Sequence, residues 1–155
     1  VKKTIIVFSG DMDKAMAAFV IATGAAAMGD AVSMFFTFWG LNVLRKPVAP
    51  RVKKSPVEAL FGWMMPKGPG RLGLSKMNFG GLGAKMMKVV MKKKNVHTLE
   101  ELMSQARDMG VKLIACSMSM DVMGLDESEL IDGIETGGVA TYLGEAEEAN
   151  VNLFI

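Results

Sequence analysis

Short apolar runs alternate with helical patterns along the chain, and this alternation narrows the possible folds more than any other feature. Thr4-Ile5-Ile6-Val7-Phe8 is a β-rich run, and Ser9-Gly10-Asp11 turns it into an Ala-rich helix that ends at Gly29-Asp30. Residues 32–38 (VSMFFTF) and 111–115 (VKLIA) read as the second and third strands. Residues 130–134 read as a fourth, 136–149 as a helix with Glu145, Glu147 and Glu148 outward, and 151–155 as a last strand. Ahead of the third run, Thr98 and Glu101 have capping-box spacing, and Leu99, Leu102, Met103 and Ala106 share one face of the helix they open. Parallel neighbours need crossover connections, and the crossovers here are helical. The pattern therefore predicts a three-layer α/β/α domain around a five-stranded parallel sheet. The expected strand order is 2-1-3-4-5.

In such a sheet, ligands bind beyond the carboxyl ends of the strands, where strand order reverses. With that order the reversal lies between strands one and three. Ser9-Gly10-Asp11 follows the first, and Cys116 follows the third. Cys116 is the chain's single cysteine and opens the stretch Ser117-Met118-Ser119-Met120-Asp121, read as a loop entering a helix. A thiol at that junction faces N–H groups of the incoming helical turn, whose partial positive charge favours thiolate, the reactive form. A buried structural cysteine is the alternative.

With 155 residues, half of them hydrophobic, residues 1–155 are expected to form one domain. One cysteine and one histidine, His97, provide neither a disulfide nor a CxxC pair nor a zinc ligand set, so no metal is expected. The weakly polar residues 15–29 fall short of the roughly twenty that span a bilayer. No charged, apolar and cleavage-site segments follow one another as in a signal peptide, and the expected location is cytoplasmic. His97 precedes the capping Thr98 and is read as a solvated loop histidine, with an approach to Cys116 possible. Asp121 is nearer in sequence, and a carboxylate beside the thiol would raise its pKa.

The charge is sharply divided. Residues 45–94 hold 13 of the 18 Lys/Arg but only one of the 16 acidic residues, Glu58, a net +12; the remainder nets −10. This segment also contains all five prolines and is far longer than a crossover requires, so it is read as a basic, Met-rich insert at about 45–95, after strand two. Gly68-Pro69-Gly70-Arg71-Leu72-Gly73 formally matches G-x-G-x-x-G, but no strand precedes it, so it is not a dinucleotide fingerprint. Across residues 82–94, Leu82, Met86, Val89 and Val90 share one helical face, and Lys85, Lys88 and Lys92 lie on another. Such a helix suits a lid, a subunit interface, an acidic partner or a membrane surface. The lid-and-interface role is preferred over membrane-surface contact. Nucleic acid is not expected, because aromatic interleaving and a recognised module are missing.

The start Thr4-Ile5-Ile6-Val7-Phe8-Ser9-Gly10-Asp11 and the block Phe35-Phe36-Thr37-Phe38-Trp39-Gly40-Leu41 carry a resemblance. So do Ile114-Ala115-Cys116-Ser117-Met118-Ser119-Met120-Asp121-Val122-Met123-Gly124 and the ending Asn150-Val151-Asn152-Leu153-Phe154-Ile155. Together they resemble the DsrE/DsrF-like sulfur-relay family, in its stand-alone branch often labelled peroxiredoxin-family. The Cys116 block is the most specific piece, and the basic insert lies outside the common core. The resemblance implies a five-stranded parallel sheet, homo-oligomers, and a cysteine at position 116 that carries sulfur as a persulfide. No second cysteine matches those of some relatives, which argues against an internal two-thiol relay.

The expected function is therefore a sulfurtransferase or sulfur carrier. Cys116 takes a sulfane sulfur and passes it to an acceptor thiol or protein, with no metal or flavin cofactor. Ser9, Gly10, Asp11, Trp39, Ser117 and Met118 are the expected substrate-binding residues. Two alternatives stay open: a thiol peroxidase using Cys116 with an external resolving thiol, and a non-enzymatic oligomeric binding module built on the insert.

Overall fold

A computed structural model describes residues 1–48 and 50–155. Five strands form one sheet: β1 (Lys2–Val7), β2 (Ala31–Phe36), β3 (Lys112–Cys116), β4 (Glu135–Gly137) and β5 (Val151–Phe154). Every neighbouring pair is parallel, and the order is β4-β3-β2-β1-β5. The parallel α/β architecture matches the expectation; the order 2-1-3-4-5 does not. The reason lies in β2, whose residues after Ala31 are all buried, on both faces of the sheet. An edge position would leave that apolar run half covered, so β2 takes the centre, between β1 and β3. The chain moves one way from β1 to β4, and only the last crossover returns β5 to the far side of β1. The reversal therefore lies between β1 and β5, not between β1 and β3.

One face of the sheet carries Ile5, Val7, Met34, Phe36, Leu113 and Ala115 in register. It packs against α1 (Met12–Ala27) and α4 (Leu99–Asp108). Ala15, Ala18, Ala22 and Ala25 of α1 are buried, which lets that helix approach its neighbours closely. Thr98 caps α4 by accepting from Glu101 N–H at 3.2 Å, while the Glu101 carboxylate turns to His97 Nδ1 at 2.8 Å rather than back to the cap. The run 130–134 is not a strand. Leu130 is buried and makes an isolated antiparallel bridge to Arg45, Ile131 and Ile134 pack on the core, and β4 begins only at Glu135.

The insert folds as α2 (Pro56–Met64) and α3 (Leu82–Lys93), joined by short turns. Its base is tied down by Arg45, which is 1% exposed. The Arg45 guanidinium donates to Asn42 Oδ1 (3.4 Å), Gly62 O (3.1 Å) and Pro66 O (3.4 Å), all neutral acceptors, and its Nε has no partner among the described residues. Burial pushes it below its ordinary pKa, against the pull of the nearby Glu129 charge. Arg45 thus belongs to the interior, not to the solvated charge that the sequence count suggests.

The second face is covered by one helix, α6 (Val139–Glu147), which has no fully buried residue. Here Lys112, Ser33, Thr4 and Asn152 form a polar row across the sheet. Thr4 Oγ1 donates to Asn152, and Glu145 locks α6 down by accepting from Ser33 Oγ (2.6 Å), Lys2 Nζ (2.9 Å) and Lys112 Nζ (3.1 Å). The Ser33 hydroxyl, then the Lys2 and Lys112 ammonium groups, hold the Glu145 carboxyl down at about 2 against an ordinary 4.5. Its contribution to stability is therefore complete above the unfolded value and is lost as pH falls from about 4.5 to about 2. Glu145→Gln should lower the urea-unfolding free energy at neutral pH by about 1–3 kcal/mol and flatten its pH dependence across that window. An unchanged acid limb would show that α6 is anchored elsewhere.

Candidate functional site around Cys116

Cys116 ends β3 and caps α5 (Ser117–Met123), with φ −70° and ψ 114°. The switch from strand to helix at this residue leaves the first-turn N–H groups of α5 without intrahelical partners, beside the thiol's own backbone. The Cys116 side chain makes no capping hydrogen bond to them. It projects to the α6 face, packs with Phe35 and Ile114 beneath Tyr142, and is 5% exposed. The Tyr142 ring lies 5.4 Å from that of Phe35. Register places Gly137 beside Cys116, and α6 begins two residues later, so two helices start close to the thiol. A Cβ at Gly137 would stand 2.9 Å from the Thr141 side chain in the first turn of α6, so glycine lets that turn approach closely.

A second feature fixes α5. Thr37 Oγ1 and Ser119 Oγ share a hydrogen bond at 2.7 Å, and Ser119 is fully buried. This pair straps the segment after β2 to the first turn of α5. Phe38 then turns the chain away with φ 47°, an unfavourable value for an aromatic residue. Gly40 completes the turn where no Cβ fits, since one would lie 2.0 Å from Val7 O. Neither Thr37 nor Ser119 is singled out by any sequence motif; only the sheet register brings them together.

Ser9, Gly10, Asp11 and Trp39 do converge, around a cavity of about 240 Å³ that is also lined by Asn42, Pro66 and Gly73. Ser9 Oγ accepts from Asp11 N–H (3.1 Å) and donates to the Asp11 carboxylate (3.2 Å), closing a turn before α1. Trp39 stands 6.2 Å from Phe61 of the insert, ring to ring. Cys116, Ser117 and Met118 do not line this cavity. With β2 lying between β1 and β3, the Ser9–Asp11 turn and the cysteine stand two strand spacings apart, roughly 10 Å. The expectation that they face each other across a reversal point is corrected accordingly.

Ser117 stays close to the thiol and donates to Gly137 O at 3.3 Å, while Met118 is 61% exposed. His97 is exposed and pairs with Glu101 on the α4 side of the sheet, opposite the thiol. Asp121 is exposed on α5. Among the described residues, no three His, Cys, Asp or Glu side chains come together as a metal site.

If the Thr37–Ser119 bond positions α5, Thr37→Val leaves a fully buried Ser119 hydroxyl unpartnered and should destabilise the fold by about 1–3 kcal/mol. Adding Ser119→Ala should recover part of that loss, because the unpaired hydroxyl goes with it. Strictly additive losses in a double-mutant cycle would contradict a direct strap.

Comparison with known proteins places the chain in a family. The sequence matches the DsrE/DsrF/DrsH-like family over residues 1–154. It is 58% identical over 154 residues to the uncharacterized protein YrkE of Bacillus subtilis (strain 168), covering 99% of this chain and 96% of that one. It is 37% identical over 158 residues to the sulfur carrier protein DsrE2 of Allochromatium vinosum, covering 99% and 98%. In fold it is similar to the ychN protein from E. coli, with a TM-score of 0.58 at 11% identity, covering 99% of this chain and 98% of that one. A similar likeness holds for protein MTH1491 from Methanobacterium thermoautotrophicum, with a TM-score of 0.55 at 13% identity and the same coverage. With a family match across nearly every residue and a parallel sheet whose third strand ends on its single cysteine, the chain belongs to the DsrE/DsrF/DrsH-like family.

Proposed function

We propose that this protein is a sulfur carrier that takes sulfane sulfur onto Cys116 and hands it to an acceptor thiol. The observation that carries the reading is the position of Cys116, the sole cysteine, at the N-terminus of α5 and beside that of α6. The 37% identity to a protein named as a sulfur carrier supports it.

In the first step the Cys116 thiolate attacks the outer sulfur of a donor persulfide. The new bond joins Cys116 Sγ to that sulfur, the donor S–S bond breaks, and the donor leaves as a thiolate. In the second step an acceptor thiolate attacks the outer sulfur of the Cys116 persulfide, and Cys116 leaves as thiolate. Each step exchanges one S–S bond for another, so no net oxidant or reductant is consumed. The first-turn N–H groups of α5, free of intrahelical partners, stand where charge develops on sulfur as each S–S bond is exchanged. Phe35, Ile114 and Tyr142 shelter the bound sulfur from water.

Ser117, beside the thiol, and the Ser9–Gly10–Asp11–Trp39 cavity are the proposed contact points for donor or acceptor. That cavity suits a part of the partner remote from the exchanging sulfur. Homo-oligomer formation belongs to the same reading, supported by the thin cover of the α6 face and the exposed Phe8–Phe154 stack beside it (5.7 Å). A cytoplasmic setting, where thiols stay reduced, fits the chemistry.

Mass spectrometry after treatment with polysulfide is the test. Wild type should gain one sulfur atom that dithiothreitol removes, and Cys116→Ser should gain none. A gain of oxygen in place of sulfur would favour the thiol peroxidase, and sulfur gain by the serine variant would end the carrier reading. Because Tyr142 packs over the thiol cluster, Tyr142→Ala should raise the rates of sulfur loading and of alkylation several-fold.

A further inference from the structure

Both helices of the insert wear their apolar faces outward. With 3.6 residues per turn, Val57, Leu60, Trp63 and Met64 fall on one side of α2, and they are 58–76% exposed. The side turned to the domain holds Gly62 and Glu58, with Phe61 at its margin against Trp39. On α3, Leu82, Met86, Val89 and Val90 share one side and are 51–61% exposed, while Ala84 and Met91 on the opposite side are buried. A helix that only covers a domain turns its apolar stripe inward. Here the stripe is reversed twice, and the turn before α3 adds exposed Met77 and Phe79.

The charge around this surface has one sign. Lys85, Lys92 and Lys93 on α3, Lys94 just past its end, and Arg51, Lys53, Arg71 and Lys76 in the connecting segments are all exposed. None of them makes a salt bridge among the described residues. The insert's one acidic residue, Glu58, is spent on capping α2 through Ser55. Apolar helix faces bearing Trp, Leu, Met and Val, flanked by flexible lysines, have the make-up of a helix pair that lies in a membrane interface. No helix among the described residues is long and apolar enough to cross a bilayer.

We propose that the α2–α3 face of the insert seats on an anionic lipid surface. Val57, Leu60, Trp63 and Met64 of α2, with Leu82, Met86, Val89 and Val90 of α3, enter the headgroup–acyl boundary, and the lysines reach the headgroups. A second copy packed face to face would bring two such sets of eight exposed cations against each other, which opposes self-association through this surface. The proposal does not depend on the chemistry at Cys116.

The test uses the full chain in a Trp39→Phe background, where Trp63 is the remaining tryptophan. Its emission is followed on adding phosphatidylcholine vesicles with and without phosphatidylglycerol. With anionic vesicles the emission should shift to the blue and be quenched by brominated lipid. Affinity should drop at least about tenfold in 1 M salt, where the screening length shrinks to about 3 Å. Joint substitution Leu82→Ser, Met86→Ser and Val89→Ser should abolish the blue shift. Joint substitution Lys85→Gln, Lys92→Gln, Lys93→Gln and Lys94→Gln should weaken binding to anionic vesicles at least about tenfold. Both variants should keep the circular dichroism and Cys116 alkylation rate of their Trp39→Phe parent. Failure to bind anionic vesicles at low salt, or equal binding to neutral ones, would overturn the proposal. So would a Trp63 blue shift produced without lipid, either by polyglutamate (an acidic protein partner) or by raised protein concentration (a second copy).

Discussion

Burial of β2 on both faces is the constraint from which the rest of the molecule follows. A strand with five consecutive buried residues must have a neighbour on each side and a helical layer above and below. Once β2 is central, β1 and β3 flank it, and their carboxyl ends sit on either side of Thr37 and Phe38. The two groups of chemically useful residues are thereby assigned to opposite sides of one strand end. Ser9–Asp11 and Trp39 gather on the β1 side and Cys116 on the β3 side, and the Thr37–Ser119 strap holds the second of these in place.

Much of this was legible in the sequence. The strand–helix alternation gave the parallel sheet, and the junction between residues 111–115 and the Ser-Met repeat gave the cysteine its place at a helix start. What was not legible depends on pairing across long separations. Nothing local to residues 32–38 says whether the strand lies at an edge or in the centre; only its unbroken apolar run hints at cover on both faces, and that hint bears directly on the order. The run 130–134 is apolar because it plugs the core beside Arg45, and a plug and a short strand share the same composition. Arg45 shows a second limit. Counted as surface charge, it is in fact buried among carbonyl oxygens, and no composition rule separates the two roles. His97 is the solvated histidine that its place before Thr98 suggests, across the sheet from the thiol, and Asp121, close to the thiol only in sequence, lies in solvent on α5.

The insert illustrates how amphipathicity can be read correctly and oriented wrongly. Leu82, Met86, Val89 and Val90 do share a helical face, as their spacing predicts, but periodicity fixes only which residues lie together. Which way the face turns depends on what the domain has to offer beneath it. Here Ala84 and Met91 suffice to seat α3, and on α2 a single glycine approaches the buried guanidinium of Arg45. The larger apolar faces are left for something outside the chain.

The fastening of α6 is lopsided, and this has a kinetic side. Its last turns are clamped by Glu145 through one hydroxyl and two ammonium groups, whereas its first turn rises from the pair Gly137–Gly138 beside the thiol. An opening confined to that glycine end would uncover Cys116 with the clamp still shut. Exposure of the thiol would then follow the free energy of a local fluctuation rather than that of global unfolding. The thiol can in this way stay covered for most of the time and still become accessible without loosening the sheet that holds it.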